Sequence, residues 1–316
     1  MLVPEIVNKT RFEVVNGKIV PTGAVGVEQI VEYDMNDFTE ENLRSLVQAG
    51  HKDYFNDSEK DKLIELGILT KPMNDYSWSE IQGLIQAGKF SNYFKVGDTK
   101  DITLNLPAGS ASLKAGKYFS NAVSGTYKVV VIGVNHNSEL EGTNRVHFCI
   151  GQDSTGKDID FNSMQMNTSN TSSGGWAGCP MRTWLNETLI NGLPSDLISV
   201  ITPCTKYTNN TGASNVEADV TATSDKLWLL SEFEVWGSRS YANQYEKDKQ
   251  AQYDYYKNGV SKVRYQHQDT SSTSFWWLRS AYSNYSGIFC CVSSSGGGSY
   301  GYAGNVYGVL PCFTIS

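Results

Sequence analysis

Residues 280–316 read SAYSNYSGIFCCVSSSGGGSYGYAGNVYGVLPCFTIS. The stretch contains no Asp, Glu, Lys, Arg or His, and Tyr, Ser and Gly supply 20 of its 37 residues. A flexible Gly/Ser linker would share that composition but would not need the apolar runs at 288–292 and 309–315. With SFWWLRSA just before them, these runs predict three short strands separated by Gly/Ser turns. In the last run Val309, Pro311, Phe313 and Ile315 alternate like one buried strand face, and Pro311 predicts an edge position or irregular pairing. The segment is therefore part of a fold. Turn glycines account for Gly296, Gly297 and Gly298 but not for five tyrosines. Tyrosine offers a wide amphipathic contact area with few rotatable bonds to freeze, and Ser, Gly and Asn add adaptable hydrogen bonding. A lack of charge suits an interface, where an unpaired buried charge is costly.

The rest of the 316 residues bound the setting. Hydrophobic residues make up 40% and aromatics 12%, a globular composition and not a disordered one. The net charge of −7 is concentrated early: residues 1–75 hold 14 acids and 8 bases, the remainder 19 and 18. No basic patch points to nucleic acid. No run is long enough to cross a bilayer, so no membrane insertion is expected. The start, MLVPEIVNKTRFEVVNG, lacks a basic region followed by an apolar one, so no secretory signal is expected. Such a chain stays inside the cell or leaves by another route, such as assembly into a virus particle. Six cysteines (149, 179, 204, 290, 291 and 312) form no CxxC pair and read as free thiols acting as small apolar residues. Strand alternation would point the adjacent Cys290 and Cys291 to opposite faces.

Three regions follow one another. In 1–33, RFEVV-NG-KIVP predicts a hairpin turning at Asn16-Gly17, an attachment segment too small to be stable alone. In 34–74, and echoed just beyond it, LRSLVQAGHKDYF resembles IQGLIQAGKFSNYF. Each is a short helix, with Leu43, Leu46 and Val47 or Ile81, Leu84 and Ile85 at helical spacing, ending at Gly50 or Gly88. Ser77 to Glu80 forms a capping-box pattern, and DSEKDKLIELGI predicts another helix ending at Gly67. This part reads as a helical spacer. From 75 to 316, DITLNL and YKVVVIGVNH predict strands, and MRTWLNETLINGLPSDLISVI two helices broken near Gly192-Leu193-Pro194. KLWLLSEFEVWG predicts a strand or buried segment. Helices followed by scattered short strands indicate an α+β fold.

Catalytic chemistry leaves little trace. His51, His136, His147 and His267 show no metal-ligand spacing, and no GxSxG elbow is present. SSSGGGSYG lacks the GK[ST] of a phosphate loop, and GQDSTGKDIDFN lacks the spaced acids of a calcium loop. No catalytic residue, metal or cofactor is assigned.

In chain order, WSEIQGLIQAGKFSNYFKVGDTKDITL, VVIGVNH, MRTWLNETLINGLPSDLISVI, KLWLLSEFEVWG, YYKNG, WWLRSAYS and GVLPCF resemble one family. It is a domain of unknown function found in phages, prophages and gut bacteria, itself similar to the C-type-lectin-like fold. The pair WWLRS and GV.P.F is its most specific signature, and the resemblance covers 75–316. It implies short strands, two main helices and many loops. That fold is shared with formylglycine-generating enzymes and with variable proteins of diversity-generating retroelements, including phage tropism determinants. In the latter, adenine mutagenesis of Asn codons diversifies the C-terminal part and cannot yield Lys, Glu, Gln, Met or Trp. Residues 280–316 contain none of these five. The EPN, QPD and WND motifs of calcium-dependent lectins are absent, and Cys290-Cys291 does not match the spaced cysteine pair of the oxidases. Residues 107–125 look like an insertion.

The resemblance implies a non-enzymatic ligand- or receptor-binding protein, a phage-type tropism determinant with its variable surface in 280–308. A fixed-ligand bacterial or prophage adhesin is the alternative, and a formylglycine-type oxidase a more distant one. The expected contact residues are Tyr282, Asn284, Tyr285, Phe289, Tyr300, Tyr302, Asn305 and Tyr307, held by Trp276, Trp277, Leu278, Val309, Pro311 and Phe313. The expected partner is a protein or glycan receptor on a cell surface. The expected location is the virion, on its tail or surface, or an extracellular cell surface. A homo-oligomer, plausibly a trimer, would add avidity.

Overall fold

The computed structural model describes residues 10–15, 18–24, 38–52, 55–106 and 124–316, the first two of these as backbone only. The chain divides into two units, Met1–Asp75 and Tyr76–Ser316.

In the first unit, β1 (Thr10–Val15) and β2 (Lys18–Ala24) pair antiparallel, with Val15 opposite Lys18. The Asn16-Gly17 turn expected between them lies outside the described residues. Helices α1 (Glu40–Gln48) and α2 (Asp57–Glu65) each open on a capping box, Thr39 with Asn42 and Asn56 with Glu59. Gly50 and Gly67 follow them at φ +87° and +65°, the left-handed conformation that ends a helix cheaply only at glycine. Leu43 and Leu63 form the core of the pair, packed by Phe38, Val47, Phe55, Ile68 and Leu69.

The second unit opens with α3 (Trp78–Gln86), capped by Ser77 and Glu80 as expected, and the single turn α4 (Phe90–Tyr93). Then come β3 (Thr99–Leu104), β4 (Gly125–Val134), α5 (Ser138–Glu141), β5 (Val146–Asp153) and β6 (Asn162–Met164). Helices α6 (Pro180–Glu187) and α7 (Ser195–Val200) are separated by a 3-10 turn and Pro194, where the sequence predicts a break. They lead into β7 (Ile201–Thr202), β8 (Cys204–Asn209), β9 (Val220–Asp225) and β10 (Leu227–Trp228). After α8 (Glu232–Trp236) and α9 (Asp254–Lys257) come β11 (Arg264–Gln266), β12 (Asp269–Ser274) and β13 (Trp276–Ala281). The chain closes with β14 (Ile288–Val292), β15 (Gly298–Tyr302), β16 (Tyr307–Val309) and β17 (Cys312–Ile315). The fold is mixed α+β.

One sheet runs β10-β17-β5-β4-β3, with β7 also on β17; the other runs β15-β14-β13-β16-β6. The pairs β8-β9 and β11-β12 stand apart from both. The first sheet is covered by α3, whose Trp78 meets Phe148 and Phe313 edge-on at 5.8 and 6.2 Å. Phe148 and Phe313 are cross-strand partners, stacked at 5.2 Å.

Three expectations need correction. The Pro311 strand is not an edge: β17 begins after the proline and lies between β10 and β5, buried on both faces. Pro311 costs the ladder nothing there, and its carbonyl accepts from Ile150 N–H at 2.8 Å. KLWLLSEFEVWG is a buried segment, as one of its two readings has it, but no single strand. It divides into β10 and α8, because Ser231 and Glu234 form a capping box that starts a helix. The cysteines are not all free: Cys149 and Cys312 face each other across β5 and β17 and are joined by a disulfide, while 179, 204, 290 and 291 remain buried thiols. Of the expected insertion, 107–123 lies outside the described residues.

Candidate ligand-binding surface

The second sheet builds the surface. Tyr300 and Tyr302 on β15 stand opposite Cys290 and Ile288 of β14. Strand alternation puts both tyrosines on one face and Gly301 on the other. A Cβ on Gly301 would lie 2.4 Å from the Tyr307 ring and 3.1 Å from Trp277. The ring of Tyr307 therefore lies against the face opposite Tyr300 and Tyr302.

On the tyrosine face, Tyr282 stacks on Tyr300 at 5.2 Å, and Tyr241 meets both edge-on, at 5.5 and 5.0 Å. Tyr285 meets Tyr302 edge-on at 6.5 Å. Tyr285, Tyr300 and Tyr302 are 53%, 46% and 46% exposed, values usual for charged side chains and unusual for three neighbouring aromatic ones. Burial, then Tyr300 and Glu232, raise the Tyr241 phenol above its ordinary value, so this ring is neutral at physiological pH.

The loops carrying these rings are pinned from beneath. The buried Glu232 carboxylate accepts the backbone N–H groups of Ser240, Tyr241 and Ala242 at 2.7 to 3.2 Å. Ser283 donates both its N–H and its hydroxyl to the Tyr241 carbonyl, at 2.9 and 3.0 Å. The Ser172 N–H reaches the Ser286 carbonyl at 2.6 Å.

Beneath the loops lies a buried ionic frame. Arg279 donates to both oxygens of Glu234, to Thr208 Oγ1 at 2.7 Å and to the Leu229 carbonyl at 2.8 Å. Lys206 donates to Glu141 at 2.8 Å, Glu234 at 3.2 Å and Tyr253 at 2.8 Å, and sits 4.6 Å over the Trp228 ring. Burial alone would raise the Glu234 carboxyl. The Arg279 and Lys206 charges outweigh it and hold the group well below the usual carboxylate range. Burial, then the Lys206 charge, push His136 down to about 3 and His147 well below its ordinary value, so both rings are neutral. Glu246, joined to Ser280 and to the Asn209 N–H, is pushed up to about 7 by burial.

Among the described residues, Glu141, His147 and Cys204, and His136, Glu141 and Glu234, cluster closely enough to hold a metal ion. The Lys206 ammonium is already the cation on both carboxylates, and burial pushes the Cys204 thiol up to about 12, leaving it protonated. A metal would have to displace a fully buried lysine, so this cluster reads as a structural frame.

The sequence-predicted contact residues separate into three groups. Tyr282, Tyr285, Tyr300 and Tyr302 come together on the tyrosine face, and Asn284 is exposed beside Tyr285 in the loop between β13 and β14. Phe289 is not a surface residue: at 1% exposure it is core, because it opposes Gly301 and shares that glycine's inward face. Asn305 and Tyr307 are half-buried away from the patch. Asn305 donates to the Tyr307 hydroxyl, and Tyr307 packs against Phe275 at 5.1 Å and Trp277 at 4.5 Å. Trp276, Trp277, Leu278, Val309, Pro311 and Phe313 are all buried, as a scaffold requires. Tyr241 escapes a reading confined to 280–308. Its signal is the uncharged SYANQY that comes shortly after KLWLLSEFEVWG.

Residues 153–316 match the model of a family described as a domain of unknown function (DUF6273). The chain belongs to this family. None of the curated proteins and none of the solved structures matches it. The DUF6273 segment contains all the tyrosines of the patch and Lys206, Glu232, Glu234 and Arg279 beneath it. It begins at the last residue of β5, so β3, β4 and nearly all of β5, which complete the first sheet, lie outside it.

Proposed function

We propose that this is a non-enzymatic receptor-binding protein with a C-type-lectin-like fold, using the tyrosine face as its contact surface. The observation that carries the reading is the patch formed by Tyr241, Tyr282, Tyr285, Tyr300 and Tyr302, the last three of them exposed, above a buried ionic frame. Exposed aromatics that the fold does not need are costly unless something covers them. The return of β17 to the middle of the first sheet, beside β5, supports the lectin-like reading of the fold. So does the long loop-rich segment held between these two strands.

The partner in this reading is a protein or glycan receptor on a cell surface, and the protein sits on a virion or an extracellular surface. The Cys149–Cys312 disulfide suits an oxidising exterior. Retroelement diversification accounts for the residues missing from 280–316, and the structure limits where it could act. Tyr282, Asn284, Tyr285, Tyr300 and Tyr302 can change without touching the core, while Phe289, Gly301 and Gly308 cannot. The oxidase alternative loses support because Cys290 and Cys291 are buried on opposite faces of β14, with burial raising both thiols.

The test replaces Tyr285, Tyr300 and Tyr302 together by alanine. Binding to receptor-bearing cells should fall at least tenfold, with the melting temperature nearly unchanged. A large loss of stability would mean that these rings are core. Beside the gene, a near-copy of its 3′ end differing at adenines would support diversification, and its absence would favour a fixed-ligand adhesin.

A further inference from the structure

The second sheet carries another recess, away from the tyrosine face. A cleft of about 360 Å³ lies where the β11-β12 hairpin meets β6 and β16. That volume falls in the range of small-molecule sites. Phe275 and Tyr307 supply its aromatic part, stacked at 5.1 Å. Gln266, Gln268, Thr273 and Ser163 supply amides and hydroxyls. Among the described residues lining it there is no Lys, Arg, Asp or Glu.

The cleft is built stiffly. Asp160, fully buried behind it, accepts from the His267 backbone N–H at 3.0 Å and from the ring Nδ1–H at 2.8 Å. The Asp160 N–H donates to the Tyr265 carbonyl at 2.8 Å, tying the hairpin down. Gly308 lets β16 pass this carboxylate, since a Cβ there would lie 2.5 Å from the Asp160 Cβ. Behind the aromatic pair, Trp277 packs on Tyr307 at 4.5 Å and donates its indole N–H to the Met164 carbonyl.

From this lining the geometry points to a second binding site, for one neutral, hydroxyl-rich ring of the hexose type. Glutamine amides and Ser/Thr hydroxyls both donate and accept, which matches neighbouring hydroxyls that do the same. An aromatic ring offers its face to the apolar C–H side of such a ring. The lining holds no Lys or Arg to pair with a phosphate or carboxylate. The two aromatic rings are stacked on each other, leaving no slot between them for a flat nucleobase. This site is independent of the receptor-binding reading, because its residues belong to other strands and to the opposite side of β15.

The test titrates the full-length protein with methyl glycosides of glucose, galactose, mannose and N-acetylglucosamine, with sialic acid and adenosine as comparators. Binding is read by ligand-observed NMR and by intrinsic tryptophan fluorescence. At least one neutral glycoside should bind saturably. Gln266→Ala with Gln268→Ala, both exposed positions, should weaken it about tenfold, the effect of one or two lost hydrogen bonds, without moving the melting temperature. Thr273→Val provides a second variant should the glutamine pair disturb folding. The Tyr285, Tyr300 and Tyr302 triple variant should bind the glycoside unchanged. No saturable binding, binding only of sialic acid or adenosine, or full binding by the glutamine and Thr273 variants would overturn the assignment.

Discussion

Arg279 and Glu234 are both fully buried and hydrogen-bonded to each other, so each would be stranded without its partner. Arg279→Met or Glu234→Gln should cost about 3–5 kcal/mol, read by denaturant unfolding, because one uncompensated charge stays buried. The pH dependence follows from neighbouring groups. His136 and His147 stay neutral when folded, so as pH drops below 6.5 the unfolded chain takes up protons that the folded chain refuses. Stability is full above that pH and falls on acidification, by about 1.4 kcal/mol per pH unit for each excluded proton. Glu246 opposes this. With its carboxyl pushed from 4.5 up to about 7, the folded chain holds a proton between those values that the unfolded chain has released, and the benefit is lost as pH rises through 7. Glu246→Gln should therefore steepen the acid loss between pH 6.5 and 4.5 in thermal melts, and an unchanged slope would contradict a raised Glu246. Little of this was legible in the sequence. Arg279 sits in WWLRSA, a run buried at every position, and such a run demands a buried acid. Which of 33 acids answers depends on contacts across 45 residues or more.

At the scale of elements, caps and glycines were readable because they act locally. Ser77 with Glu80, Gly50, Gly67 and Gly88 all sit where helix-end chemistry predicts. The identity of β17 as an interior strand was not readable, because its partners β5, β7 and β10 are all distant in sequence. Neither was the pairing of Cys149 with Cys312, which follows from that register. Alkylation of the unfolded, unreduced chain should modify four cysteines, rising to six after reduction; six without reduction would contradict the pairing. Losing the bond should cost about 2–5 kcal/mol, since it closes a loop spanning 163 residues. The tail glycines divide in a way composition hides. Gly301 and Gly308 are sites of close approach within the sheet and not flexible turns. Gly301→Ala should cost about 1–3 kcal/mol by pushing on Tyr307, whereas Gly297→Ala, which meets only the Ser293 hydroxyl at 3.4 Å, should be nearly neutral.

At the scale of the molecule, the segment that looks like low complexity supplies both scaffold and surface. Its apolar residues complete two sheets, and four of its five tyrosines collect at one face because β14, β15 and the loop between β13 and β14 bring them there. The sequence announced the chemistry of that face through its composition. It could not divide Phe289 and Tyr307 from the rest, since inward and outward positions differ by a single residue of register. The most direct measurement is flow cytometry of the labelled protein on a panel of intact bacterial strains, wild type beside the Tyr285, Tyr300 and Tyr302 triple alanine variant, with a melting curve for each. A receptor-binding surface predicts that the wild type stains at least one strain, that the variant loses at least tenfold of that signal, and that the two melt at nearly the same temperature. Equal staining by both proteins, no stained strain, or a collapse of the variant's melting temperature would contradict it.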